Sequence, residues 1–196
     1  MKPNVIEQAF ISTGTDKSTT HGYHDHYATM FNRVSIESIL EVGVSRGSSL
    51  AAWRLLFPKA QLTGVDVTNR KFRKDLLKFA DATVFIGDST DKGFTRGLSP
   101  HDMIIDDGSH FYLDIIKTFS NLHDKFNQVY VIEDAMYNID LIVEGIRSLG
   151  FNKVEVLPSN LKRVPVDVMF LQTGQYSNLK KVDKEVIDLH MIVVYR

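Results

Sequence analysis

The sequence predicts a doubly wound α/β fold on a mainly parallel sheet, from two observations. Short β-rich apolar runs alternate with segments of helical periodicity through the middle of the chain, and nearly every apolar run stops at glycine or an acidic residue, as in "LEVG", "TGVD", "FIGD", "IIDD" and "VIED". Strands separated by helices of about 10 to 15 residues signal right-handed βαβ units. In such a sheet the carboxyl ends of the strands share one rim, and ligands bind there.

Residues 1–35 precede the first core strand and are of a different kind. "FISTGTDKSTTHGYHDHYATMFNR" is polar, turn-rich at Gly14 and Gly22, and holds His21, His24 and His26 with Tyr23 and Tyr27. Two readings stand side by side: a surface loop with a short helix that packs Tyr27, Met30 and Phe31 on the body, or a lid over the ligand-binding rim. His24 and His26 would chelate a metal together on a strand, whereas on a helix they diverge.

The core then runs strand "SILEVGV", helix "SSLAAWRLLF", strand "AQLTGVDV", helix "RKFRKDLLKFA", strand "ATVFIGD" and strand "DMIIDD". A helical pattern from Tyr112 to Phe126, strand "QVYVIED", a helical pattern from Ile139 to Leu149 and strand "NKVEVL" follow. Two last apolar runs, "VDVMFLQT" and "HMIVVYR", suggest an antiparallel hairpin at the sheet edge, with "SNLKRVP" and the stretch from Gln175 to Lys184 as loops. One domain over 1–196 is expected, with a lid segment at 1–35 and the α/β core at 36–196.

Composition narrows the function classes. With 43% hydrophobic residues in 196, the chain can fill one sizeable core. Its 23 basic and 24 acidic residues form no long run of one sign, so neither a nucleic-acid surface nor a polybasic membrane surface is advertised. There is no cysteine, so any metal must be held by oxygen or imidazole. "MKPNVIEQAF" lacks an apolar signal core and no stretch reaches the roughly 20 apolar residues of a membrane span; a soluble cytoplasmic protein is expected. Packing of the last strands and the N-terminal segment between subunits would give a homo-oligomer, which composition does not decide.

"LEVGVSRGSS" places Gly43 and Gly47 in the turn leaving the first strand, where backbone approaches a nucleotide-like ligand. The dinucleotide pattern Gly-x-Gly-x-x-Gly is not met, because Ser45 stands between the two glycines. Glu41 beside the turn would repel a pyrophosphate and suits a ligand bearing an ammonium group. Asp66, ending the second strand, is placed to accept from ribose hydroxyls, and Asp88 and Ser89 after the third strand face an adenine edge.

Asp106 and Asp107 end the fourth strand and Glu133 and Asp134 the fifth. With neighbouring strands about 4.8 Å apart these carboxylates would converge, and like charges so close either ionise poorly or are held by a cation. Mg²⁺ is the economical choice, with Asp106 or Asp107 as ligand left open. His110, across the Gly108 turn, would take the proton that a metal-polarised hydroxyl loses, which suits transfer of a group to that hydroxyl. The structural alternative is that Asp107 or Ser109 caps the next helix and His110 lies in its first turn.

The motif Glu41-Val-Gly43-Val-Ser45-Arg-Gly47 resembles that of the class I S-adenosylmethionine-dependent methyltransferases, departing at Ser45. The resemblance implies a Rossmann-like core, with Glu41, Gly43, Ser45 and Gly47 around the methionine part of S-adenosylmethionine, Asp66 on the ribose, and Asp88 with Ser89 near the adenine. "IIDDGSH", "VIED" and "GTDKSTTHGYHDHYA" look like a narrower group, the metal-dependent macrolide sugar O-methyltransferases and the proteins labelled cephalosporin hydroxylase. That likeness implies Asp107, Glu133 and Asp134 as metal ligands, His110 as general base with Asp107 beside it in catalysis, a small-molecule acceptor, and closure by the stretch holding Thr15, Asp16, Lys17 and His21. A non-catalytic module that binds the adenosyl cofactor is the competing reading. A nicotinamide oxidoreductase is disfavoured by Ser45 and Glu41.

Overall fold

The computed structural model describes residues 1–160, 164–167, 172–175 and 184–196. The N-terminal segment forms α1 (Pro3–Thr13), the short α2 (Asp16–Thr19) and α3 (His24–Phe31). The core follows as β1 (Ser38–Val42), α4 (Ser48–Leu56), β2 (Gln61–Asp66), α5 (Lys74–Ala80), β3 (Thr83–Ile86), α6 (Lys92–Thr95), β4 (His101–Asp106) and α7 (Tyr112–Leu122). Then come β5 (Phe126–Ala135), α8 (Ile139–Ser148), β6 (Val154–Pro158), β7 (Val164–Asp167), β8 (Lys184–Ile187) and β9 (His190–Tyr195).

Seven strands form one sheet in the order β3-β2-β1-β4-β5-β9-β6, with the first five parallel. The doubly wound α/β expectation holds, and so does an antiparallel pair at the edge. The pairing differs in detail: "HMIVVYR" forms β9, which inserts antiparallel between β5 and β6. Of "VDVMFLQT", Val166 and Asp167 lie in β7, which pairs β8 in a separate two-stranded sheet, and residues 168–171 lie outside the described residues. Among the described residues no helix is long and apolar enough to cross a membrane.

Two apolar layers sandwich the sheet. Ile6 and Phe10 of α1, Tyr27 and Met30 of α3 and Leu50 and Trp53 of α4 cover one face; Ile115 and Phe119 of α7 with Ile142 and Ile146 of α8 cover the other. The N-terminal segment is therefore part of the packed body, with Phe10, Tyr27 and Phe31 gathered around Trp53. His24 and His26 lie on a helix and part as helical neighbours do, His24 Nδ1 toward Ser18 Oγ at 2.8 Å and His26 Nε2 toward the Pro158 carbonyl at 2.8 Å.

Candidate active site

Strand alternation decides which acidic residues meet. Ile39, Met103, Ile105, Val129 and Val131 face the α1/α3/α4 layer, while Leu40, Val42, Ile104, Tyr130 and Ile132 face α7 and α8. The two-residue period carries Glu41, Asp107 and Glu133 onto the first face and sends Asp106 to the second. All four strand-end carboxylates border one cleft, as expected, but Asp106 does so from the second face and stands outside the group that Asp107 and Asp134 form with His110. Asp106 is buried opposite Tyr130, neither Asp106 Oδ2 nor the Tyr130 hydroxyl has a hydrogen bond of ordinary geometry, and burial pushes the Asp106 carboxyl up to about 7.

Onto the first face the N-terminal segment brings an ammonium group. Lys17 Nζ lies 2.5 Å from Glu133 Oε2, 2.7 Å from Asp107 Oδ2 and 3.6 Å from Glu41 Oε1. The Tyr27 hydroxyl donates to Glu133 Oε1, and the Ser49 hydroxyl donates to Glu41 Oε2 at 2.7 Å. Burial pushes Glu41 up to about 7 and Glu133 up to about 8, with Lys17 pulling both back. Burial also disfavours the charged form of Lys17, but Asp107, Glu133 and Glu41 together outweigh it and keep the ammonium protonated. The charge argument made for Glu41 is thus met from inside: the ammonium group beside it belongs to the chain. Sequence reasoning missed this role of Lys17, because "GTDKST" by itself reads as a solvated turn.

A second group faces outward. Asp107, His110 and Asp134, all half-buried, offer ligand atoms within 4.8 Å of one another. The Asp107 N–H donates to the Val42 carbonyl at 2.9 Å, tying the end of β4 to β1. Asp134 sits where the β5–β9 register slips between Ile132 and Ala135, at φ 52°, and His110 holds φ 60°. Asp134 Oδ1 accepts from the Tyr23 hydroxyl at 2.7 Å and lies 3.1 Å from His21 Nδ1. The helix-cap alternative is not realised at Asp107 or Ser109: α7 starts at Tyr112 with Phe111 at its N-cap, and Ser109 Oγ donates to Asp114 Oδ2 at 2.9 Å.

On the other side of the rim, Gly43 at φ 90° is required by close approach, since a Cβ there would stand 2.0 Å from the Asp107 carbonyl oxygen. Ser45 takes φ 49° and its N–H donates to Asp66 Oδ2 at 2.9 Å, while Asp66 Oδ1 accepts from the Thr68 N–H at 3.0 Å. Asp88 Oδ1 accepts from both the N–H and the hydroxyl of Thr90 at 2.8 Å, and the Ser89 hydroxyl pairs with that of Thr118 at 2.9 Å.

One cleft of about 610 Å³ joins the two sides, lined by Gly43, Ser45, Asp66, Asp88, Ser89, Asp107, His110, Glu133 and Asp134, with Asp16 and His21 from the N-terminal segment. Glu41 and Gly47 are not in its lining: Glu41 is turned to Lys17, and Gly47 heads α4 behind the turn, against Leu77. A groove of about 870 Å³ lined by Arg33, Lys153 and Arg196 holds none of these residues.

No protein-family model matches the chain. Among curated proteins it is 28% identical to the 8-demethyl-8-alpha-L-rhamnosyl tetracenomycin-C 2'-O-methyltransferase of Streptomyces olivaceus, over 62% of this chain and 35% of that protein. It is 31% identical to the mycinamicin VI 2''-O-methyltransferase of Micromonospora griseorubida, over 58% of this chain and 31% of that one. The chain spans about a third of the length of these curated relatives. Among solved structures, the MycE methyltransferase of the mycinamycin pathway, in complex with Mg and S-adenosylhomocysteine, superposes with a TM-score of 0.57 at 28% identity, over 66% of this chain and 39% of that one. The precorrin-6y C5,15-methyltransferase of Geobacter metallireducens shares the fold at a TM-score of 0.59 and 14% identity, over 88% of this chain and 87% of that one. In sequence and in fold the chain resembles the class I S-adenosylmethionine-dependent methyltransferases and, among them, the macrolide sugar O-methyltransferases.

Proposed function

We propose that the chain is an S-adenosylmethionine-dependent, Mg²⁺-dependent O-methyltransferase acting on a hydroxyl of a sugar or other small polar acceptor. The observation that carries this reading is the single cleft in which Gly43, Ser45, Asp66, Asp88 and Ser89 face Asp107, His110 and Asp134. The relatives named for O-methylation of glycosylated compounds, and the related fold with Mg and S-adenosylhomocysteine bound, support it.

Two carboxylates in a chain without thiols form a donor set suited to a hard divalent ion, with the His110 imidazole beside them. Asp107 and Asp134 would hold it, and Glu133, the third expected ligand, stands behind them with both oxygens engaged by Lys17 and Tyr27. When bound, Mg²⁺ supplies a Lewis acid that lowers the pKa of the acceptor hydroxyl, and S-adenosylmethionine supplies a methyl group on a sulfonium. His110, held in the cleft by its left-handed backbone, accepts the proton that the hydroxyl loses. Asp66 and Asp88 position the ribose and adenine, and Asp16 and His21 bound the acceptor side.

Thermal unfolding with S-adenosylhomocysteine, S-adenosylmethionine or NAD, each with Mg²⁺ and with chelator, tests the assignment. A ligand at a hundred times its Kd adds about 2.7 kcal/mol, which raises Tm by roughly 5 to 10 °C in a domain of this size. Shifts with both adenosyl ligands and a separate shift with Mg²⁺ are expected; a shift with NAD alone would overturn the assignment.

A further inference from the structure

Glu41, Asp107 and Glu133 close the ends of three adjacent strands, β1, β4 and β5, and the group placed among them is Lys17 Nζ, within 3.6 Å of all three. Lys17 is only 1% exposed, and Glu41 Oε1 is buried with no hydrogen bond of ordinary geometry among the described residues, so that ammonium is the countercharge facing it. An ammonium group is taken out of water only where paired carboxylates compensate for its lost hydration. Its place is fixed by backbone as well: the Lys17 carbonyl accepts from the Tyr23 N–H at 2.8 Å. Asp107 is the joint between two halves of the site, since it accepts from Lys17 and also belongs to the group with His110 and Asp134.

Resting on the metal-dependent reading above, we propose that Lys17 is a positioning residue acting as the resident cation of the site. It neutralises the inner carboxylates so that the chain folds without a divalent ion, holds Asp107 and Glu133 in place, and weakens the hold on an ion bound by Asp107 and Asp134. The ion is thereby confined to the outer group and kept exchangeable.

The test compares Lys17→Met, which keeps the stem and removes the charge, with Lys17→Arg, which keeps the charge. Thermal unfolding is recorded in chelator and in MgCl₂, and Mn²⁺ binding is titrated by electron paramagnetic resonance. Lys17→Met is expected to unfold below the wild type in chelator, to gain at least twice the wild-type shift on adding Mg²⁺, and to bind Mn²⁺ at least tenfold tighter, with Lys17→Arg close to the wild type. If Lys17→Met does not fold without metal, its recovery on refolding in Mg²⁺ supports the proposal and failure to recover overturns it. A Mg²⁺ shift and Mn²⁺ affinity no greater than those of the wild type overturn it too, as does the absence of metal binding in every variant. The S-adenosylhomocysteine shift of the wild type reports separately on the methyltransferase reading, so the two can fail independently.

Discussion

Glu133 and Asp134 are consecutive residues at the end of β5, yet they live in opposite surroundings. Glu133 is buried, with Lys17 and Tyr27 on its two oxygens. Asp134 is half-buried in the cleft, turned there by a register slip and a left-handed backbone, beside Asp107 and His110. The difference teaches where the chain settles its own charges and where it leaves them open. On the inner side, away from water, the countercharge is covalently part of the protein; on the outer side three ligand-bearing residues meet in one cleft, two of them, His110 and Asp134, held by strained backbone, as at many reactive sites.

The largest expected effects come from breaking the outer group. His110→Ala should lower kcat by at least about 10²-fold, the usual worth of a positioned general base, and leave the thermal shift with S-adenosylhomocysteine nearly unchanged. Asp107→Asn should cost more, because Asp107 serves both halves of the site. Methyl transfer measured with a labelled donor, beside the cofactor shift, separates chemistry from binding. Normal turnover by both variants would move the reaction centre elsewhere.

Asp106 sharpens the comparison from the opposite face of the sheet. Among the described residues no cation pairs with it, and burial raises its pKa from 3.8 to about 7. The folded chain then keeps a proton that the unfolded chain has already lost, so the stability present below about pH 4 is lost as pH rises to about 7. Asp106→Asn cannot ionise. Its stability relative to the wild type should grow from pH 4 to 7 and then level, by about 3 kcal/mol between urea midpoints read at pH 5 and pH 8. A difference constant with pH would show that Asp106 is charged in the fold.

The sheet core was legible because its strands and helices are local periodicities. The rim was legible because polar residues interrupt apolar runs at Glu41, Asp66, Asp88 and Asp107. Even the choice between Asp106 and Asp107 lay in the sequence, since counting by twos from Ile105 gives Asp107 and counting from Ile104 gives Asp106. Two things were not legible. The partners of β9 are β5 and β6, pairings set by which edges are free in the folded sheet. Lys17 reaches Glu133 across 116 positions of chain, and no local pattern marks a lysine that tertiary structure will bury.

The smallest expected effect concerns the turn that departs from the glycine motif. Among the described residues, three non-glycine residues with positive φ line the cleft, Ser45, His110 and Asp134, whereas Asp81 and Asn138 adopt such angles at helix ends. At His110 and Asp134 the side chain is needed in the outer group, so the strain has a use. At Ser45 the interaction seen is made by its backbone, the N–H to Asp66 Oδ2, which glycine would keep. Ser45→Gly should therefore relieve left-handed strain of about 1 kcal/mol, offset in part by the greater freedom of glycine in the unfolded chain. A net gain of about 0.5 kcal/mol corresponds to a Tm rise of roughly 1 to 2 °C. Ser45→Ala, which keeps the Cβ and its strain, should show no gain. Loss of cofactor affinity in Ser45→Gly at unchanged or higher Tm would instead give the Ser45 hydroxyl a use in the cleft, and place it with His110 and Asp134 as a residue strained for what its side chain does.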